Sequence, residues 1–373
     1  MKTFICRQSS LTVNSVCHNK DNNFNLIRIL CAWGVLAVHS FALAANKPEI
    51  TDPLMAFFGV GFGTFFVTVF FAISGFLICR SLDRSQDLKQ YAVARIKRLF
   101  PGLICALILT TFILGPLLTT LSPKAYFQHP ETWTYLLNIN LLNIHTVFNL
   151  PGVFSNTPYP NTVNGSIWTL PFETWMYVMT AAFFCCQWMF IARLPASQKW
   201  LGPVTTVLVS LLFCVAGTYF TDQKQQQHYD ILIFICTFFI AASVYKYRQC
   251  VPLSWPLMAI LLAFTPWLSN TVLAPIYVGL SITYSTLILA YRLSGCVRRY
   301  NMVGDYSYGL YIYAFPVQQT LAYLLPDINV AEMIVLTTLL TLPLAILSWH
   351  FIEKPSISYR RHQAAASQNQ RKH

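Results

Sequence analysis

Asn25–Leu43 reads NLIRILCAWGVLAVHSFAL. It is apolar almost throughout and long enough to cross a bilayer as a helix. Arg28 stands near its start and His39 further along. Eleven residues separate them, close to three whole turns, which places both on one face about 16 Å apart along the axis. An ionisable side chain inside a span is costly to desolvate, so His39 marks a functional site. Arg28, closer to the end of the span, fits either such a site or a side chain snorkelling to the interface.

Outward from this stretch, the 373-residue chain is 55% hydrophobic and only 10% charged. Soluble domains carry about 25% charged residues, so the pattern predicts an all-α, multi-pass membrane protein. Ten stretches are long and apolar enough to span or nearly so: 24–45, 57–79, 100–121, 167–191, 201–220, 230–246, 253–269, 271–290, 303–325 and 331–352. They form a ten-helix domain over 24–353, between a polar tail at 1–23 and a basic tail at 354–373. The first 22 residues have no apolar core, so no cleavable signal peptide is expected. The eleven cysteines are scattered through apolar runs and read as small core residues, and no metal spacing occurs.

Residues 122–166 hold five prolines, and their apolar part, Trp133–Ile144, is interrupted by Asn138, Asn140 and Asn143. That part is too short and polar to cross, which predicts a re-entrant or interfacial piece within an external loop. The basic residues fix the orientation. With the N-terminus inside, cytoplasmic segments hold 22 of the 25 Lys and Arg, leaving Lys47, Lys124 and Lys224 outside. This positive-inside pattern accounts for the net charge of +12, so nucleic acid is not an expected partner.

Of the thirteen acidic residues, only Glu173, in SIWTLPFETWMYVM, falls clearly inside a span. It lies about two turns into the fourth helix, roughly 9 Å below the external face and level with His39. A carboxylate beside an imidazole fixes its tautomer and raises its basicity, as a general base requires. A structural hydrogen bond between helices is the plainer alternative. Pro171 is expected to kink the helix nearby. Arg95, Lys97 and Arg98 cluster at the expected start of the third helix, with Pro101 in its first turn. They suit either phosphate binding or anchoring to anionic lipid head groups.

Six motifs in this order resemble the acyltransferase-3 family of integral membrane O-acyltransferases over roughly 24–355. They are Arg28-x(10)-His39, FFVTVFFAISGFLI (Phe65–Ile78), RIKRLFP (Arg95–Pro101), the W-T-L-x-x-E of Trp168–Glu173, GDYSYGLYIY (Gly304–Tyr313) and FIEKP (Phe351–Pro355). The resemblance implies an enzyme of the bacterial cytoplasmic (inner) membrane. It would move an acyl group, usually acetyl, from cytoplasmic acyl-CoA to a hydroxyl of a cell-surface or lipid-linked glycan such as a lipopolysaccharide O-antigen. By that resemblance His39 is the essential histidine, Arg28 its charged partner, and Arg95 with Arg98 the basic pair near the donor. No metal is implied. Many relatives carry a histidine where this chain has Ala314, so a packing role is expected for Tyr306–Tyr313. The tail after the tenth span carries no hydrolase-like domain, as in stand-alone members. A proton-coupled transporter with His39 and Glu173 as its relay is the alternative, disfavoured by the lack of paired repeats.

The charge pattern predicts that both termini face the cytoplasm and that 122–166 faces outward. A topology reporter fused after His373 should read as cytoplasmic; an external reading would reject this orientation.

Overall fold

The computed structural model describes residues 11–19, 21–45, 52–85, 87–191, 226–269 and 271–357. Its regular structure is helical, with only isolated bridges between extended residues. The long helices among the described residues are α1 (Phe24–Leu43), α2 (Phe62–Ser85), α3 (Leu88–Leu118), α4 (Leu170–Ile191), α5 (Gln226–Lys246), α6 (Trp255–Leu268), α7 (Ala274–Arg292), α8 (Ser307–Leu324) and α9 (Val330–Ile357). Of these, α1, α2, α3, α5, α7 and α9 contain stretches long and apolar enough to cross a membrane. The α4, α6 and α8 helices occupy three further expected spans, α6 being the short one at 14 residues. The expected span 201–220 lies outside the described residues.

Several boundaries differ from expectation, each for a local reason. Helix α3 starts twelve residues early because the Asp87 side chain caps it, accepting from the backbone N–H of Lys89 and Gln90. Arg95, Lys97, Arg98 and Pro101 therefore lie within the helix, not at its start. Pro171 does not kink α4. It sits in the first turn, where a missing N–H costs nothing, so Glu173 also belongs to the first turn, after a short 3₁₀ segment at Ile167–Thr169. Two π-helical segments, Thr110–Leu114 and Trp349–Glu353, end two residues before Pro116 and Pro355. Each proline withholds one backbone donor, and the widened turn upstream absorbs the break in register.

The chain divides into two compact units. The first comprises 1–31, 51–86 and 178–303; the second comprises 32–50, 87–177 and 304–373. In the first, Phe24 and Tyr245 pack on Phe76 at ring distances of 6.1 and 5.4 Å. The Asn23 amide caps the end of α7, donating to the carbonyls of Leu289 (3.0 Å) and Leu293 (2.9 Å). Gly75 of α2 lies against the backbone of Phe238 in α5, where any β-carbon would collide with the Phe238 carbonyl. Cys17, Cys31, Cys79 and Cys236 are buried as expected, whereas Cys250 and Cys296 are exposed.

In the second unit, Pro130–Thr134 and Tyr135–Ile139 form short helical turns within the long loop, so Trp133–Ile144 does not span. Tyr126 anchors this loop to α3. It is fully buried and donates to Thr111 O at 2.9 Å, and its ring lies over Gly115. Burial pushes its phenol up to about 12, so it remains a hydrogen-bond donor at physiological pH.

Because the atom facing Gly75 is backbone, no rotamer change can make room. Gly75→Ala should therefore destabilise the α2–α5 contact by about 1–3 kcal/mol. Thermal unfolding followed by labelling of buried Cys31 and Cys79 should show a lower midpoint; an unchanged midpoint would mean that the helices part without cost.

Candidate active site

Helix α8 organises the second unit's polar interior. Tyr308, Tyr311 and Phe315 fall on one face by their spacing. Tyr308 donates to Leu99 O at 2.7 Å, and its ring lies across Gly102 and 5.7 Å from the Arg98 guanidinium carbon. Tyr311 shares a hydrogen bond of 2.8 Å with Thr169, one turn before Glu173. Phe315 packs edge-on against the His39 ring at 5.2 Å. Seven residues separate Tyr308 from Phe315, so α8 sets the Arg98 and His39 neighbourhoods only about 10 Å apart along its axis.

The His39 end is fixed through α1. Gln318 Nε2 donates to Leu36 O and Ser40 Oγ, both at 2.8 Å, setting the rotation of α1 beside His39. Pro316 removes the donor that Ile312 O would otherwise meet, and Asn164 Nδ2 supplies it at 2.9 Å. Gly165 next to it allows Phe315 its position, since a β-carbon there would stand 2.6 Å from the ring. His39 is half-buried, and its enclosed Nδ1 has no hydrogen-bond partner among the described residues.

Glu173 does not bond to His39. Its carboxylate accepts a hydrogen bond from the hydroxyl of Tyr177, one turn along α4. The Tyr177 ring also lies 5.9 Å from the Arg95 guanidinium carbon, and its carbonyl accepts from Tyr91 at 3.1 Å. Thus the structure joins Glu173 to Arg95, through Tyr177, rather than to His39. Arg95 forms no ion pair among the described residues, and its buried Nε has no partner there. Lys97 is half-buried on the same helix. Arg28, in the first unit, lies 6.0 Å from the Phe70 ring centroid.

Arg98 is bound differently. Its guanidinium meets Asp305 at 2.6 Å and Glu353 at 3.4 Å, with the Trp349 ring 5.9 Å away. Ser307 donates to Asp305 at 2.5 Å and Ser348 to Glu353 at 3.0 Å. Sequence reasoning places Asp305 and Glu353 only as acids at span ends and misses this clasp. One signal points to it: the RIKRLFP, GDYSYG and FIEKP motifs hold Arg98, Asp305 and Glu353, one basic and two acidic residues.

A family model described as an acyltransferase domain matches residues 21–350. The chain is 28% identical over 349 residues to an O-acetyl transferase of Shigella phage Sf6, covering 90% of this chain and 96% of that protein. It is 27% identical over 369 residues to nodulation protein 10 of Rhizobium leguminosarum bv. viciae, covering 91% and 94%. A putative acetyltransferase of Acidianus two-tailed virus is 25% identical over 242 residues, 65% and 61% of the two chains. No solved structure matches. With a family model covering most of its length, the chain belongs to the acyltransferase-3 family of membrane acyltransferases.

Proposed function

We propose that this protein is a membrane O-acetyltransferase that moves an acetyl group from cytoplasmic acetyl-CoA to a hydroxyl of a cell-surface or lipid-linked glycan, such as a lipopolysaccharide O-antigen. The observation that carries the reading is the α8 face: Tyr308 covers Arg98 at one end and Phe315 covers His39 at the other. About 10 Å of helix separates them, so a donor held by its phosphates near the basic end can extend its thioester toward His39. Direct transfer then needs no acyl-enzyme.

In this mechanism neutral His39 takes the proton of the sugar hydroxyl as its oxygen attacks the thioester carbonyl. The carbon–sulfur bond breaks, and the imidazolium returns the proton to the departing thiolate, giving an O-acetyl sugar and free CoA. Glu173, held by Tyr177, contributes negative charge beside Arg95 and orients that end of the site. Arg95 and Lys97 receive donor phosphates. Arg98, already clasped by Asp305 and Glu353, frames that end of the site. Arg28 is the charged partner on the same helix that the family resemblance implies. The shared family and the O-acetyl transferase named in a Shigella phage support the reaction class. The charge asymmetry of the loops supports a bacterial inner-membrane setting with the donor inside.

His39→Ala should abolish transfer while leaving folded protein near normal, and Glu173→Gln should be severely impaired. A positioned base is worth about 10²- to 10⁴-fold. Glycan acetylation measured per amount of folded, detergent-extracted protein decides this; normal specific activity in the His39 variant would end the catalytic assignment.

The two arginines should separate. Arg95→Ala should raise the KM for acetyl-CoA about tenfold or more, as lost charge-assisted hydrogen bonds cost about 1.5–3 kcal/mol. Arg98→Ala should instead reduce folded protein, because stranding two buried carboxylates costs about 3–5 kcal/mol. Donor kinetics and size-exclusion yield of both variants provide the check; a raised KM for the Arg98 variant alone would reverse the assignment.

A further inference from the structure

Two consecutive glutamines of α8 have their amide nitrogens fully committed. Gln318 Nε2 donates to Leu36 O and Ser40 Oγ at 2.8 Å each, and Gln319 Nε2 donates to Tyr159 O and Thr162 O at 2.6 Å each. These contacts settle which end of each amide is nitrogen, since two carbonyl oxygens cannot hydrogen-bond one another. Ser40 adds to the case for Gln318: its hydroxyl proton goes to Leu36 O at 3.0 Å, so its oxygen is the acceptor for the amide. Both glutamines are fully buried, and both amide oxygens are enclosed without a partner among the described residues. A buried acceptor left unpaired is costly, so these oxygens point to a donor close by.

His39 Nδ1 is the third enclosed and unpartnered atom at this place. Phe315, packed edge-on against the His39 ring, lies one turn before both glutamines on the same face of α8. The two amides do not stand equally to the imidazole. Gln318 touches α1 itself at Leu36 O, a carbonyl that lies between the side chains three and four positions on, His39 and Ser40. Nδ1 is the ring nitrogen nearer the backbone, so it stays by that surface of α1, whereas Nε2 lies on the far side of the ring. Gln319 is tied instead to the loop at Tyr159 and Thr162. Glu173, the partner that the sequence suggests for His39, is engaged with Tyr177.

We propose that Gln318 is a positioning residue for His39: its amide oxygen accepts from His39 Nδ1–H, through one bridging water or a small rotation of the imidazole. A neutral imidazole carries its proton on one nitrogen only, and the bond made by that nitrogen selects the tautomer. Gln318 thereby keeps the proton on Nδ1 and leaves Nε2 as the base. The catalytic consequence rests on the acyltransferase reading above, in which His39 takes the proton of the sugar hydroxyl; the tautomer itself does not.

The test uses the full-length protein with ¹⁵N-labelled histidine in lipid nanodiscs, at a pH alkaline enough to keep the imidazole neutral. The ring-nitrogen shifts of His39, identified as the signals lost in His39→Ala, report which nitrogen holds the proton. Native protein should show one tautomer, protonated on Nδ1. Gln318→Met keeps the length of the side chain, leaves Leu36 O its bond from Ser40, and removes the acceptor. It should move the proton to Nε2 or spread it over both nitrogens, and lower kcat for acetyl transfer about five- to tenfold with the KM for acetyl-CoA unmoved. Ser40→Ala, which loosens only the nitrogen end of the amide, and Gln319→Met should both keep the native tautomer. A native His39 protonated on Nε2 would overturn the proposal without any variant. So would an unmoved tautomer in Gln318→Met, the same change in Gln319→Met, or a full kcat in Gln318→Met despite an altered tautomer. The predicted tautomer change in a protein whose native form transfers no acetyl group would leave Gln318 standing and sink the transferase reading.

Discussion

The second unit depends on a guanidinium held between two carboxylates. Arg98 of α3 meets Asp305 just before α8 and Glu353 near the end of α9. Glu353 is fully buried and Asp305 nearly so, and neither could remain charged there without such a partner. The geometry is supported on every side: Ser307 and Ser348 hold the two carboxylates, and Tyr308 and Trp349 flank the guanidinium. The π-helical turn at Trp349–Glu353 contributes too, since it shifts the register of α9 at Glu353.

From that clamp the α8 helix carries the geometry toward His39. Its aromatic face is a spacer of fixed length, with Tyr308 on α3, Tyr311 on the start of α4 and Phe315 on the imidazole. Pro316 would weaken such a spacer by freeing a carbonyl, and Asn164 from the preceding loop restores the missing bond. Gln319 works in the same direction, donating to Tyr159 O and Thr162 O at 2.6 Å each. Loop and helix thus hold one another, and the His39 ring is positioned from the side opposite the clamp.

This arrangement changes the reach expected of the reaction. Depth counted along single helices puts the basic cluster and the Glu173–His39 pair on opposite sides of the bundle. Tyr177 instead connects Glu173 to Arg95 across one helical turn, so the basic and acidic features are neighbours.

The sequence by itself determined the all-helical class of fold, the apolar stretches that become long helices and the residues worth testing. Hydropathy and charge are set by the lipid solvent, which acts on each segment almost independently, so they are legible one segment at a time. Nine of the ten expected spans coincide with helices among the described residues. Starts and kinks were less legible, because a cap such as Asp87 and a proline such as Pro171 have effects that depend on one residue's place in a turn. Tertiary structure alone decided the pairings: Arg98 with Asp305 and Glu353, Tyr177 with Arg95, and His39 with Phe315. His39 and Phe315 stand 276 positions apart in the chain. No local pattern encodes which polar groups will share a desolvated interior; only the packing of whole helices against one another selects the partners.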